Sequence, residues 1–128
     1  MARAHRHKVR VVEDEALLAL DLQCTLEEAG YAVVGSSGSA SRARALIEKS
    51  PPDAVLLDVV LESQPDFSLA DHLDDRGIPF MFITVCERSS IAARHARRPL
   101  LQKPCTAEQV LATLRDLIAH ESVSFSRA

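Results

Sequence analysis

Tryptophan is missing from this chain, and its aromatic side chains amount to one tyrosine and four phenylalanines. That is too few for a base-stacking surface or a large aromatic ligand pocket. No apolar run is long enough to span a membrane, and the basic N-terminus lacks the apolar core of a signal peptide. A cytoplasmic protein with no membrane partner is therefore expected. Its three cysteines (Cys24, Cys86 and Cys105) are odd in number and lack metal-type spacing, which argues against a disulfide framework or a zinc site. Positive charge is not in excess either. A net charge of −3 argues against direct nucleic-acid binding by the whole domain. The basic residues gather in an N-terminal tail, residues 1–7, and between Arg88 and Arg98, where a solvated surface is the ordinary reading and an acidic partner the other.

With 128 residues, 47% hydrophobic and 26% charged, the chain is one ordinary domain able to bury a core. We place that domain at residues 8–120, followed by a polar tail at 121–128. Lys8 to Glu13 reads as a valine-rich strand. Leu18, Leu22, Leu26 and Ala29 then recur at helical spacing, widened by Leu17 and Cys24, with Gly30 as the stop. The same alternation returns with strands at Tyr31 to Gly35, Ala54 to Val60, Pro79 to Thr84 and Pro99 to Gln102. Helices follow them: one capped by Ser39 or Ser41, one from Phe67 to Arg76, a short polar one from Ser89 to Arg98, and one opened by the Thr106–Gln109 capping box. Strands this apolar need cover on both faces, so the expectation is an α/β fold, a five-stranded parallel sheet between two helical layers.

The polar residues fall at one end of that sheet. Glu13 and Asp14 close the first strand, Asp58 interrupts AVLLDVVL in the third, Thr84 ends the fourth and Lys103 follows the fifth. With strand order 2-1-3-4-5 these ends converge where parallel sheets bind ligands. The run Glu13, Asp14, Glu15 ahead of a helix has a plainer explanation, acids in a first turn complementing the helix dipole. Yet Asp58 in an apolar strand needs a partner to offset its desolvation, and beside Glu13 and Asp14 it would meet like-charge repulsion. A hard divalent cation answers both, and carboxylates with a carbonyl and waters suit Mg²⁺. With Lys103 and Thr84 nearby, the ionised Asp58 can accept a phosphoryl group.

At these residues the chain resembles the receiver domain of bacterial two-component response regulators, over roughly Val9 to Ile118. The resemblance implies a three-layer, flavodoxin-like (βα)5 fold and a stand-alone, single-domain signalling protein rather than an enzyme. It implies that Asp58 is the phosphoacceptor in a phosphorelay, charged by a sensor histidine kinase or a histidine phosphotransfer protein. Glu13, Asp14, Asp58 and the backbone carbonyl of Val60 match the Mg²⁺ ligands, Thr84 the hydroxyl residue, and Lys103-Pro104 the lysine–cis-proline step. It also implies a possible homodimer through the fourth helix, fifth strand and fifth helix. FITVC, Phe82 to Cys86, is similar to the Phe-Ala-Thr-Gly-Tyr stretch of one group of stand-alone receivers, sharing Phe82 and Thr84. Two positions depart from the family pattern. Leu100 stands where most receivers carry the Tyr or Phe that rotates on phosphorylation, and Cys105 where Phe is common.

Other readings fit less well. A haloacid-dehalogenase-type phosphohydrolase needs a second acid where Val60 stands. A flavin module needs a phosphate-cradling loop after the first strand, and a dinucleotide binder needs G-x-G-x-x-G where Glu-Asp-Glu is found. The remaining alternative is a degenerate receiver, an interaction module that is never phosphorylated.

Overall fold

A computed structural model of the chain describes residues 6–61 and 64–127; the first five residues of the basic tail lie outside the described residues. The elements are β1 (Lys8–Val12), α1 (Ala16–Glu28), β2 (Ala32–Ser37), α2 (Ala40–Lys49), β3 (Ala54–Leu57), α3 (Ser68–Arg76), β4 (Phe80–Thr84), β5 (Leu100–Gln102) and α4 (Ala107–Arg127). A two-residue antiparallel hairpin, Val60–Leu61 against Gln64–Pro65, follows β3. The sheet is parallel throughout, in the order β2-β1-β3-β4-β5, as the sequence predicts.

Alternation of side chains along the strands builds two cores. Val12, Val55, Leu57, Phe80 and Phe82 pack under α2 and α3 through Ala43, Ile47, Leu69 and Leu73. Val9, Val11, Leu56, Met81 and Ile83 face α1 and α4 through Leu22, Leu26, Val110, Leu114 and Leu117. Each of these side chains larger than alanine contributes about 1.5–3 kcal/mol on burial, so neither face could be left open. Caps fix where the helices begin. Ser39 Oγ accepts from the Arg42 N–H at 3.3 Å, and the Thr106–Gln109 box closes in both directions at 2.8 and 3.1 Å. Gly77, at φ +68°, lets the chain leave α3 in the left-handed conformation.

Register aligns the carboxyl ends of the central strands. Val12 pairs with Leu57, Leu57 with Phe82, and Thr84 with Gln102. The Asp58 N–H donates to the Val12 carbonyl at 3.0 Å, and that of Lys103 to the Thr84 carbonyl at 2.8 Å. The residues just beyond each strand are thereby tied together.

Four expectations need correcting. The third strand ends at Leu57, so Asp58 lies just past the ladder. Leu17 and Cys24 widen no buried stripe: both are exposed. The last helix continues to Arg127, past the expected start of a tail at Glu121. Finally, Ser89 to Arg98 forms two 3₁₀ turns, Arg88–Ser90 and Ala93–His95, with extended backbone at Ile91 between them. The Arg88 guanidinium donates to the carbonyls of Ala96 (2.6 Å) and Arg98 (3.1 Å), a side-chain substitute for helical bonding. The basic residues there are not a bare patch. Arg94 grips Asp71 at 2.6 and 2.9 Å, and Arg98 pairs with Asp74.

Candidate functional site

The five predicted side chains meet at the carboxyl end of the sheet. Lys103 Nζ lies 2.7 Å from Glu13 Oε1 and 2.8 Å from Asp58 Oδ2. It reaches them from a cis Lys103–Pro104 step. Glu13, Asp58 and Thr84 are all buried. Asp58 Oδ1 accepts from the Val60 N–H at 2.9 Å, and the Thr84 hydroxyl helps to hold the Asp58 carboxyl ionised. Asp14 is exposed, at the rim. Gly38 lets the loop after β2 pass against this corner: a Cβ there would lie 3.1 Å from the Asp14 Cα.

Two buried carboxylates and one ammonium leave a surplus negative charge, and the acids divide it. Burial pushes the Glu13 carboxyl up, the adjacent Asp58 adds to this against the pull of Lys103, and the result is about 7. Burial works the same way on Asp58. There it is outweighed by hydrogen bonding to Glu13 and Lys103, helped by the Val60 N–H and Thr84, and the carboxyl is held below its ordinary value. Asp58 is therefore the ionised member of the pair at neutral pH. Burial also disfavours the Lys103 ammonium, but Asp58 and Glu13 more than offset this and keep it charged.

The carboxylate oxygens fit a cation. One oxygen from each of Glu13, Asp14 and Asp58 lies within 4.8 Å of the others. Glu13 Oε2 is buried and accepts no hydrogen bond among the described residues, and a hard cation would satisfy it. The expected fourth donor, Val60, sits two residues beyond Asp58 at the start of the hairpin.

Beside the site, α1 and the loop after β5 enclose a groove of about 560 Å³, lined among others by Leu17, Leu18, Val85 and Val110, and also by Glu15 and Lys103. Leu17 and Val85 are 84% and 59% exposed. The exposure of Leu17, read from the sequence as part of a core stripe, is the signal that periodicity misses. Cys86 and Cys105 are both free thiols and belong to opposite cores.

The model of the response regulator receiver domain family matches residues 9–115. The transcriptional regulatory protein PdtaR of Mycobacterium tuberculosis is 32% identical over 88 residues, covering 68% of this chain and 43% of that protein. The chain thus spans under half the length of the curated relatives it matches. Among solved structures, the response regulator PhyR from Brucella abortus superposes with a TM-score of 0.81 at 30% identity, over 95% of this chain and 51% of that one. The BeF3-activated conformation of SdrG from Pseudomonas melonis Fr1 gives 0.76 at 36% identity, over 87% and 95%.

Proposed function

The chain belongs to the response regulator receiver domain family, and on that premise we propose that it is a cytoplasmic phosphoacceptor of a two-component phosphorelay, with Asp58 the residue phosphorylated. The observation that carries this reading is the Lys103–Asp58 contact of 2.8 Å in a site where Asp58 stays ionised. Asp58 needs no general base. A carboxylate oxygen attacks phosphorus, the P–N bond of a phosphohistidine donor breaks, and the electron pair leaves with the imidazole. Lys103 and the Thr84 hydroxyl are placed to hold the transferring oxygens. Glu13, Asp14, Asp58 and the Val60 carbonyl would hold Mg²⁺, which when bound supplies further neutralisation of those oxygens. The chain is a substrate of this transfer and a signal carrier, not an enzyme acting on others.

A protein donor has to deliver its phosphohistidine at the mouth of the site. The groove beside α1 opens there, and its exposed leucine and valine suit the apolar face of a donor helix. A sensor histidine kinase or phosphotransfer protein is the partner we assign to it. A homodimer through the 85–99 segment, β5 and α4 belongs to the same reading, and light scattering with and without beryllofluoride tests it. A purely unphosphorylated interaction module is the weaker reading, because it leaves the Lys103–Asp58–Glu13 constellation without a use. No described helix is long and apolar enough to cross a membrane.

The test is intact mass after incubation with acetyl phosphate and Mg²⁺, where a gain of one phosphate is expected and an unchanged mass refutes the proposal. Cation binding gives a separate prediction. Asp14→Ala should weaken Mg²⁺ binding about tenfold, which is ~1.4 kcal/mol. Glu15→Ala should change it little. Calorimetric titration decides, and equal losses from both would mean that the acid run serves the helix start rather than a cation.

A further inference from the structure

One carboxylate of the acid run serves neither the helix start nor the cation cluster. Glu15 occupies the N-cap position of α1, yet its side chain makes no cap hydrogen bond. The cluster of convergent carboxylate oxygens comprises Glu13, Asp14 and Asp58 without it. Glu15 Oε2 instead lies 3.4 Å from Lys103 Nζ, on the solvent side of the ammonium. Lys103 therefore faces three carboxylates. Two of them, Glu13 and Asp58, are candidate cation donors, and a divalent cation would take up most of their charge. Among the described residues, Glu15 would then be the one ion-pair partner of Lys103 that the cation leaves untouched.

We propose that Glu15 is a positioning residue for Lys103, holding the ammonium toward the mouth of the site in competition with the incoming phosphoryl group. The inference rests on the phosphoacceptor reading given above. Its size follows from exposure: Glu15 is 65% exposed, so the pair is screened and the competition is a small factor, not orders of magnitude. Glu15 and Lys103 also line the groove assigned to the donor protein. A donor seated there covers Glu15 and supplies its own contacts, whereas a small phosphodonor leaves the Glu15–Lys103 pair intact. Glu15 thus favours phosphate delivered by a docked protein over phosphate from free metabolite-sized donors.

The experiment measures initial labelling rates with acetyl phosphate at saturating Mg²⁺ for wild type, Glu15→Gln, Lys103→Ala and the double variant. Glu15→Gln should label about threefold faster at low ionic strength, with the gain shrinking as salt is added. Beryllofluoride should bind this variant tighter by a similar factor, while its Mg²⁺ affinity stays the same or falls slightly. In the Lys103→Ala background the Glu15 substitution should change neither rate nor beryllofluoride affinity; Lys103→Met, which keeps the apolar stem, replaces Lys103→Ala if that variant does not fold. Labelling by Glu15→Gln at or below the wild-type rate overturns the proposal. So does equal acceleration with and without Lys103, which would mean simple repulsion of an anionic donor. A wild type that binds Mg²⁺ but takes no phosphate defeats the phosphoacceptor reading itself, and the role of Glu15 falls with it.

Discussion

Asp58→Asn protein is expected to gain no mass from acetyl phosphate and Mg²⁺, under conditions where the wild type gains one phosphate. The amide is nearly isosteric and its oxygen can still accept from the Val60 N–H, so the loop after β3 should hold its course. It has no anionic oxygen to attack with, and the loss of labelling should be complete rather than partial. Stability should move little, because two effects oppose each other. Asp58 and Glu13 compete for one negative charge in a buried site, and burial together with Asp58 is what drives the Glu13 carboxyl up to about 7. Neutralising Asp58 removes that competition and leaves Lys103 paired with Glu13 and Glu15, but gives up the Lys103–Asp58 pair. A folded Asp58→Asn protein that still labels fully would move the acceptor to another residue.

Most of this site is legible in the amino-acid sequence because its residues break local expectation. An aspartate amid AVLLDVVL and a lysine directly after a short apolar strand have no reason in strand propensity, and their common position at strand ends supplies one. The sheet is legible for the opposite reason, since uninterrupted apolar strands alternating with helical periodicity admit few arrangements. Sequence patterns do not show the reach of individual side chains. Glu15 reads as a first-turn acid, and its 3.4 Å approach to Lys103 is visible only in the structure. Leu17 fits the spacing of a buried stripe, but one helical face is wider than the sheet it covers, and this residue is left to solvent.

The segment from Val85 to Pro99 is the hardest to read, because tertiary contacts override local preference there. Serine and arginine in a ten-residue polar stretch fit a surface helix, and sequence periodicity has no means of showing that His95 turns inward. The imidazole is 1% exposed. Once it is buried against α3, the arginines on either side can reach Asp71 and Asp74, and the 3₁₀ turns follow from that docking.

His95→Ala is accordingly expected to be the most destabilising substitution outside the apolar core. The ring stacks on Phe67 at 6.0 Å and meets Phe80 and Phe82 edge-on at 5.8 and 6.2 Å. Its Nε2 lies 2.8 Å from Asp71 Oδ1, and Nδ1 lies 3.0 Å from Asp74 Oδ2, though not aligned for a hydrogen bond. Alanine leaves a cavity among three phenylalanines and strips both aspartates of that neighbour, at a cost of about 2–4 kcal/mol. For a domain of this size that is a fall in Tm of roughly 10 °C. The signalling consequence follows from Leu100. If Asp58 is phosphorylated as proposed, there is no aromatic ring at Leu100 to rotate, and the route we propose for the readout is Thr84 and the segment that continues from it. His95, with Arg94 and Arg98, pins that segment to α3, so its loss is expected to shift the segment toward looser states, and a bias of a few kcal/mol suffices for that. In the wild type, beryllofluoride should alter amide exchange from Val85 to Arg98. In His95→Ala that segment should already exchange fast, and beryllofluoride should change it much less. Protection changes confined to Glu13–Leu26 in the wild type would defeat this route and place the readout on α1 instead.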